Sequence, residues 1–328
     1  MYSINVLLIT YNQEKLVGNA IESVIGQKEF GLNKLIVLDD CSTDGNWDVI
    51  QSYKNQYSDY IVTYRNETNI GGKSLYQNFW KLYTLRGDSD LYCFISGDDV
   101  FCDGWFCAVQ NLIKEKGIDV RNKASLLLGD TKILFPNGEV EIDSHASLIE
   151  RGLKLMRMRV RGIVSSCPIM SKKLMERYQK PILDEGLCLA EEMFDNNKFY
   201  YCDEAYYCKC VGYEYHVGIG VSRSIASTHD YYRSLIHAIE RSKQLYELCV
   251  KDQYWMDFKS YRLKYMINPT VILYVKMCVA YFNAFDWPYN RITIKSDLKW
   301  FLKDSLKPCI KKLLGINRQH KEPKAINI

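Results

Sequence analysis

The chain lacks the cysteine and leader patterns of a secreted protein. Its 12 cysteines are scattered over 328 residues without a Cys-x-x-Cys pair, which disfavours both a disulfide framework and a structural zinc site. The amino terminus, MYSINVLLIT, has no basic residue ahead of its short apolar stretch, so it does not resemble a signal peptide. We therefore expect a cytoplasmic protein whose first strand begins near residue 4.

Other features are also missing. The sequence has no internal repeat or low-complexity segment. Gly72-Lys73-Ser74 ends like a phosphate-binding loop, but Glu67 stands where that motif needs its first glycine, so a nucleoside triphosphatase is disfavoured. The apolar stretch 270–285 is short for a bilayer span and follows Pro269, which predicts a buried or interfacial helix.

Apolar runs of strand length alternate with segments of helical period in the first 130 residues. We predict strands near 4–9, 34–38, 60–64, 91–95 and 125–129, and helices over 14–25, 44–53, 73–85 and 104–116. This alternation is typical of an α/β fold with a mainly parallel, Rossmann-like sheet flanked by helices. Asn137-Gly138 predicts a hairpin, and two short strands are expected around 199–203 and 206–211.

The carboxyl-terminal region is predicted to be helical and basic. Residues 291–328 hold ten Lys/Arg and three Asp/Glu, although the net charge of the whole chain is only +4. Lysines recur every four residues from Lys295 to Lys311, a spacing that lines one side of a helix. Two interpretations remain open for region 227–328: peripheral contact with an anionic membrane, or packing on the rest of the chain or in a homodimer.

Acidic pairs follow two of the predicted strands. Asp39 and Asp40 end one apolar run, and Asp98 and Asp99 end another. Because ligands of open α/β sheets bind at the carboxyl ends of strands, these acids are expected to meet a ligand. Asp39 is placed to accept the imide N–H of uracil or a ribose hydroxyl.

The segment Ser96-Gly97-Asp98-Asp99 predicts a metal site. Two carboxylates beyond a strand suit a Mg²⁺ or Mn²⁺ ion that bridges substrate phosphates. Thr10, at the end of the first strand, is followed by a helix whose entrance amides can hold a base or phosphate; a simple helix cap explains the same residues.

In combination these motifs resemble the family 2 glycosyltransferases of GT-A fold. The resemblance covers roughly residues 3–225 and rests on Thr10-Tyr11-Asn12, Asp39-Asp40-x-Ser-x-Asp44, Asn69 to Asn78 and Ser96-Gly97-Asp98-Asp99. It implies an inverting enzyme that uses a nucleotide-diphospho-sugar, with a catalytic domain over 1–226 whose nucleotide-sugar half is 1–130 and whose acceptor half is 131–226.

The resemblance also implies roles for individual residues. Nucleotide-sugar contacts are expected from Thr10, Tyr11, Asn12, Asp39, Asp40, Gly72, Asn78 and Asp98, although Asn78 is also explained as a buried hydrogen-bonding residue. Metal contacts are expected from Asp98, Asp99 and His216. The family places Glu-Asp on a later helix, its second member being the general base. Here the matching pair is Glu191-Glu192, so Glu192 is the expected base and Glu191 the alternative.

The function implied is transfer of a sugar, from a UDP-sugar by family habit, to a saccharide or lipid-linked saccharide. Cell-surface polysaccharide, capsule, lipopolysaccharide or glycolipid synthesis would be the setting, at the inner face of the membrane. A nucleotidyltransferase and a non-catalytic nucleotide-sugar binding subunit remain alternatives, the latter because a glutamate stands where aspartate is usual.

Overall fold

The structure, a computed structural model, describes residues 1–144, 146–150, 168–177, 183–184, 187–188, 201–216, 232–233, 236, 239–240, 243–244 and 247–284. Those residues form two compact units, one within residues 1–216 and one within residues 232–284. The predicted division into 1–226 and 227–328 falls between them, at residues outside the described ranges, and stays a prediction.

Strands and helices alternate through the first 116 residues, as the sequence predicts. The strands are β1 (Ile4–Thr10), β2 (Leu32–Asp39), β3 (Ile61–Arg65), β4 (Leu91–Ser96), β5 (Val100–Phe101), β6 (Ser125–Leu134), β7 (Val140–Asp143), β8 (Ile169–Ser171), β9 (Leu183–Asp184), β10 (Leu187–Cys188) and β11 (Glu204–His216). The helices are α1 (Val17–Ile25), α2 (Asn46–Gln56), α3 (Gly71–Leu85), α4 (Trp105–Lys116), α5 (Ala146–Glu150), α6 (Lys172–Glu176), α7 (Val250–Ile267) and α8 (Val271–Asn283).

One mainly parallel sheet organises the first unit. Its strand order is β3-β2-β1-β4-β8-β6-β11-β5, with β7 beside β6. Strands β1 to β4 pair in parallel, as do β6 and β11, whereas β5, β7 and β8 are antiparallel to their neighbours. The chain leaves β1 toward β2 on one side and returns to β4 on the other. This reversal opens the crevice in which α/β sheets bind ligands, and the predicted α/β fold is confirmed.

Helices cover both faces of β1, and this burial explains its apolar run from Val6 to Ile9. All seven residues of β1 are buried. Alternate residues such as Val6 and Leu8 belong to one core cluster with Val17 and Ile21 of α1. On the other side α3 packs against β1. A strand buried on both faces shows no apolar-polar alternation. Each Å² of apolar surface that it removes from water contributes about 25 cal/mol, so its burial stabilises the fold strongly.

Two predicted elements differ in the structure. Gly71 and Gly72 were expected in a turn before a helix, but they form the first turn of α3 itself. Of the two strands expected at 199–203 and 206–211, the first is not found, because Tyr201, Cys202 and Asp203 belong to no strand and residues 199–200 lie outside the described ranges. The second lies within β11. Its register with β6 shifts twice between Tyr207 and Tyr213, and such irregularities break the period-two pattern on which a sequence-based boundary depends. The predicted Asn137-Gly138 hairpin is confirmed by the antiparallel β6–β7 pair.

The second unit contains the helix pair α7 and α8. Tyr281 of α8 packs its ring against Trp255 and Phe258 of α7, with ring centroids 6.5 and 5.2 Å apart. Helix α8 lies within the predicted segment 270–285. In the described ranges, no helix has both the length and the apolar character needed to cross a bilayer.

Candidate functional site

Strand register brings the predicted polar residues to one edge of the sheet. Thr10 of β1 is paired with Asp39 of β2, and Ile9 with Ser96 of β4. The segments that follow these strands therefore meet where the sheet order reverses. Asp39, Asp98 and Asp99 flank Thr10 from its two sides.

Asn12 joins the loops that follow β1 and β2. Its backbone adopts φ of +51°, a left-handed conformation that asparagine tolerates better than most residues. The Asn12 backbone N–H donates to Ser42 Oγ at 2.9 Å, and Asn12 Oδ1 accepts from the Thr43 N–H at 2.8 Å. Tyr11, beside it, is exposed. These two hydrogen bonds therefore connect the predicted Thr10-Tyr11-Asn12 motif to the loop after β2 at the crevice.

Asp39 is fully buried and is surrounded by donors. Its carboxylate accepts from the Ser42 N–H at 3.0 Å, Ser42 Oγ at 2.5 Å and Asn46 Nδ2 at 2.7 Å. Arg65 Nε lies 3.1 Å from Asp39 Oδ2. A carboxylate has about four acceptor positions, and protein groups fill them here. The predicted contact with a base remains a prediction, and it requires one of these donors to give way.

Asp40 is the acceptor of a second buried network. Its Oδ1 accepts from Asn66 Nδ2 at 2.6 Å and from the Ile70 N–H at 2.9 Å. Asn66 Nδ2 also donates to Asn78 Oδ1 at 2.7 Å, and Asn66 Oδ1 accepts from Lys81 Nζ at 2.6 Å. Asn78 Nδ2 has no acceptor in the part of the chain that the structure describes. Asp40 and Asn78 thus lie in the same network behind the crevice.

Gly97 lets β4 approach the β1 loop closely. A Cβ at this position would lie 2.6 Å from Thr10 Oγ1 and 2.6 Å from Gln13 Oε1, which is closer than any side chain can come. The absence of a side chain therefore sets the position of Asp98. Burial raises the pKa of Asp98, an effect that a hydrogen bond with Gln13 partly opposes.

Asp99 is buried between strands β5 and β11. Its Oδ2 accepts from the Tyr213 hydroxyl, and its Oδ1 accepts from the His216 backbone N–H at 3.2 Å. Burial, followed by repulsion from Asp98, raises the pKa of Asp99 to about 7. Two carboxylates in one desolvated corner are costly unless a proton or a cation neutralises them.

His216 contacts acceptors through both ring nitrogens. Nδ1 lies 2.6 Å from the Asp98 carbonyl oxygen and Nε2 lies 3.0 Å from Glu214 Oε1, and Glu214 Oε2 accepts from Lys132 Nζ at 2.7 Å. Burial alone would lower the pKa of His216, but the hydrogen bonds to Glu214 and to the Asp98 carbonyl outweigh it and raise that pKa. Both neighbours are hydrogen-bond acceptors, so this geometry favours the imidazolium form of the ring.

Protonation of the His216 ring conflicts with its predicted role as a metal ligand. A protonated ring offers no lone pair, and a histidine ligand must be neutral. Binding a metal through His216 would therefore require the ring to leave one acceptor, and this role stays a prediction. Within the described ranges no three His, Cys, Asp or Glu side chains converge as a ready-made metal site.

The structure brings most predicted residues to this edge but not all of them. Thr10, Asn12, Asp39, Asp40, Asp98, Asp99 and His216 lie at or directly behind the crevice. Gly72 lies in the first turn of α3. Glu191 and Glu192, the expected general base and its alternative, lie outside the described residues.

Several site residues were missed by the sequence interpretation. They are Gln13, Ser42, Asn46, Arg65, Asn66, Lys81, Lys132, Tyr213 and Glu214. Tyr213 and Glu214 belong to the Tyr213-Glu-Tyr-His216 segment, where the sequence drew attention only to the histidine. Pairing of Glu214 with Lys132 across β11 and β6 would have required the strand register in advance.

Comparison with known proteins agrees with this geometry. Residues 5–121 match the family model described as Glycosyl transferase family 2. Abequosyltransferase RfbV of Salmonella typhimurium is 33% identical over 92 residues, which are 27% of this chain and 26% of that protein. Poly(ribitol-phosphate) beta-N-acetylglucosaminyltransferase TarS of Staphylococcus aureus is 27% identical over 146 residues, which are 40% of this chain and 24% of that protein. The matches thus span about a quarter of each relative.

Solved structures show the same fold. The crystal structure of S. aureus TarS 1-349 in complex with UDP-GlcNAc has a TM-score of 0.57 at 15% identity, and the match covers 85% of this chain and 79% of that one. A crystal structure of GalNAc-T7 with UDP, GalNAc and Mn²⁺ has a TM-score of 0.50 at 11% identity, with coverage of 95% and 58%. The curled, mainly parallel sheet is that of the GT-A fold, and residues 5–121, about a third of the chain, are similar to glycosyl transferase family 2.

Proposed function

We propose that this protein is an inverting glycosyltransferase that moves a sugar from a UDP-sugar to a hydroxyl of a saccharide or lipid-linked saccharide acceptor. The observation that carries the proposal is the buried corner formed by Asp98, Asp99 and His216 beside Thr10 and Asp39. Acidic and cationic groups meet there at the carboxyl ends of β1, β2 and β4, where a nucleotide diphosphate needs both. TarS, whose structure contains UDP-GlcNAc, supports the choice of a UDP-sugar.

The residues of this corner fit a divalent ion. Asp98 and Asp99 supply hard carboxylate oxygens, and the pKa of each is raised by burial, so a nearby cation would relieve an unfavourable desolvation. Mn²⁺ and Mg²⁺ bind one or two carboxylates and complete their shell with water and phosphate oxygens. We assign the ion to Asp99 with Asp98 assisting, and when bound it would neutralise charge on the departing diphosphate. Mn²⁺ in the GalNAc-T7 structure supports this choice.

The chain's own groups would hold and polarise the donor. We assign Asp39 and Asp40, at the end of β2, to the base and ribose end of the donor, and contact with Asp39 would require one of its present donors to break its hydrogen bond. The His216 imidazolium, held by Glu214 and Lys132, places positive charge at the corner where the diphosphate would lie. Such fixed charges lower the barrier because they do not reorganise during the reaction.

The displacement needs a base on the acceptor side. We assign this role to Glu192, with Glu191 as the alternative, on the sequence resemblance alone. The acceptor oxygen forms a bond to the anomeric carbon and gives its proton to the carboxylate. The bond from that carbon to the phosphate oxygen breaks, and the nucleoside diphosphate leaves with the electron pair. A single displacement inverts the anomeric configuration.

The setting proposed is synthesis of a cell-surface polysaccharide or glycolipid at the cytoplasmic side of the membrane. The name of TarS states a poly(ribitol-phosphate) acceptor, which supports a polymeric acceptor, and the name of RfbV states only the sugar that is transferred. Homodimerisation and membrane contact through residues 285–328 are predictions on residues outside the described ranges.

A donor screen tests the proposal. Purified protein is incubated with a panel of nucleotide-sugars and acceptors, with Mn²⁺ or with EDTA, and released nucleoside diphosphate is measured. We expect turnover with a UDP-sugar and Mn²⁺, its loss in Asp99→Ala, and loss of transfer with donor binding retained in Glu192→Gln. Glu115→Gln, an exposed helical glutamate in α4, is the matched control. Pyrophosphate release from a nucleoside triphosphate, or donor binding without turnover, would contradict the proposal.

A further inference from the structure

Helix α8 presents a continuous apolar surface to solvent. The exposed residues are Val271, Ile272, Val275, Val279 and Phe282, here called the α8 stripe. Ile272 is 69% exposed and Phe282 is 68% exposed. At 100° per residue the stripe covers a single side of the helix. The opposite side is occupied, because Met277 and Ala280 are buried.

An exposed apolar stripe of this kind indicates an interaction with a partner. Soluble proteins scatter their exposed apolar side chains singly, and a contiguous row usually marks an interaction surface. The helix has 13 residues, so its length is about 20 Å. This length is too short to cross the roughly 30 Å hydrocarbon core of a bilayer, but it suits a helix that lies flat in the interface.

The charged residues near the α8 stripe indicate that its partner is an anionic surface. Helix α8 contains no Asp or Glu. Lys276 borders the stripe, is exposed, and has no acidic partner among the described residues; its ammonium lies 5.8 Å from the centroid of the Tyr261 ring. In the sequence, residues 271–328 hold eleven Lys/Arg and four Asp/Glu, whereas the preceding residues carry a net negative charge. The excess of positive charge lies in residues 291–328, which follow the stripe in the sequence, whereas residues 271–290 are neutral overall.

That charge distribution disfavours a second copy as the occupant. A symmetric dimer would bring the same surface of each copy together, and with it both Lys276 side chains, for which α8 offers no acidic residue. An anionic lipid surface instead attracts lysine at its headgroups while the apolar side chains enter the acyl boundary. The sequence continues with Phe285, Trp287 and Tyr289, and tryptophan and tyrosine are enriched at membrane interfaces.

We propose that the α8 stripe is a membrane-docking surface that inserts into the interface of an anionic bilayer, with Lys276 contacting lipid headgroups. This inference is independent of the proposed function, because vesicle binding is measured without donor or acceptor.

The test is co-sedimentation of the full-length protein with vesicles. One vesicle type is phosphatidylcholine alone and the other an equimolar mixture of phosphatidylglycerol and phosphatidylcholine. We expect binding to the mixed vesicles that weakens with added salt. Substituting Ile272→Ser, Val279→Ser and Phe282→Ser together should reduce the partition coefficient about tenfold or more.

Matched controls are available in the first unit. Val140→Ser with Ile142→Ser removes apolar side chains that are 55% and 49% exposed on β7, and vesicle binding should be unchanged. Should the triple variant fail to fold, Lys276→Glu tests the same surface, with the exposed Lys209→Glu as its control.

Three outcomes would overturn the proposal. The first is wild-type protein that does not bind the mixed vesicles, and the second is a stripe variant that binds them as strongly as the wild type. The third is a wild-type dimer that the stripe substitutions dissociate in the absence of any vesicle binding, which would make a second copy the occupant.

Discussion

Replacing Asp99 by asparagine should stabilise the metal-free protein at alkaline pH. The pKa of Asp99 is raised from 3.8 to about 7, first by burial and then by Asp98. Because the folded-state pKa lies above the unfolded value, stability is intact below about pH 4 and falls as pH rises through about 7. Asp99→Asn removes the charge that causes this loss and keeps the shape of the side chain.

The size of the effect follows from the shift in pKa. A difference of about three units at about 1.4 kcal/mol per unit gives about 4 kcal/mol as an order of magnitude. Asp99 is only 3% exposed, so solvent screening does not reduce this value greatly. The stability advantage of Asp99→Asn should therefore grow by about 4 kcal/mol between about pH 4 and about pH 8.

Urea denaturation in EDTA, followed by circular dichroism at both pH values, measures the difference. Asp119→Asn is the control, because Asp119 is exposed. Its hydrogen bonds with Asn122 lower its pKa, an effect that desolvation partly opposes. A lowered pKa favours the folded state as pH rises, so Asp119→Asn should gain no stability advantage between about pH 4 and about pH 8. If the Asp99→Asn advantage likewise failed to grow with pH, Asp99 would not be a desolvated carboxylate and the reasoning would be refuted.

Three further substitutions test the geometry of the site. Tyr213→Phe removes the hydroxyl that donates to the buried carboxylate beside it and should weaken Mn²⁺ binding about tenfold, as measured by calorimetry. Gly97→Ala places a Cβ 2.6 Å from Thr10 Oγ1 and should lower the free energy of unfolding by about 1–3 kcal/mol in urea. Arg65→Ala removes a donor from a fully buried aspartate and should cost about 1–3 kcal/mol in the same assay.

Each of these substitutions has a matched control. Tyr206→Phe removes a hydroxyl that donates to Glu204 on the same strand, away from the crevice, and should leave Mn²⁺ binding unchanged. Gly18→Ala adds a Cβ within helix α1, at 3.3 Å from the flexible end of Tyr53, and should change stability by less than about 1 kcal/mol. Arg121→Ala breaks an exposed ion pair that solvent screening weakens, and it should leave stability almost unchanged. Equal effects in a test variant and its control would contradict the corresponding argument.

The order of elements in the first unit could be predicted because each signal is local. Every residue of β1 except Asn5 and Thr10 is apolar, and the helices between strands carry apolar residues at three- and four-residue spacings. These patterns depend only on neighbours in the chain, so β1 to β4 and α1 to α4 were found with errors of a few residues at their ends. The meeting of acidic residues at one edge could be predicted as well, because a parallel sheet brings the carboxyl ends of its strands together.

The remaining contacts depend on pairings between distant parts of the chain. Strand β8 has only three residues and lies between β4 and β6, and so short a segment has no periodicity to detect. Tyr213 approaches Asp99 because β11 pairs with β5 opposite Phe101. The register of β11 with β6 places Glu214 opposite Lys132, and Glu214 Oε1 also lies 3.0 Å from His216 Nε2. None of these registers is encoded in a local pattern.

The four donors around Asp39 illustrate a different limit. The sequence showed a carboxylate at a strand end and predicted a ligand contact. Arg65, at the end of the neighbouring strand, reaches the same carboxylate because β2 and β3 pair Asp39 with Arg65 directly. A residue that looks available in the sequence is therefore already engaged in the folded protein.

The most direct test of the account is the affinity of UDP with and without a divalent ion. Calorimetric titration of UDP into the protein in Mn²⁺, and separately in EDTA, measures whether Asp98 and Asp99 hold an ion that bridges to the diphosphate. The account predicts that Mn²⁺ strengthens UDP binding by about tenfold or more and that Asp99→Asn abolishes this gain. Equal UDP affinity in Mn²⁺ and EDTA, or an undiminished gain in Asp99→Asn, would contradict it.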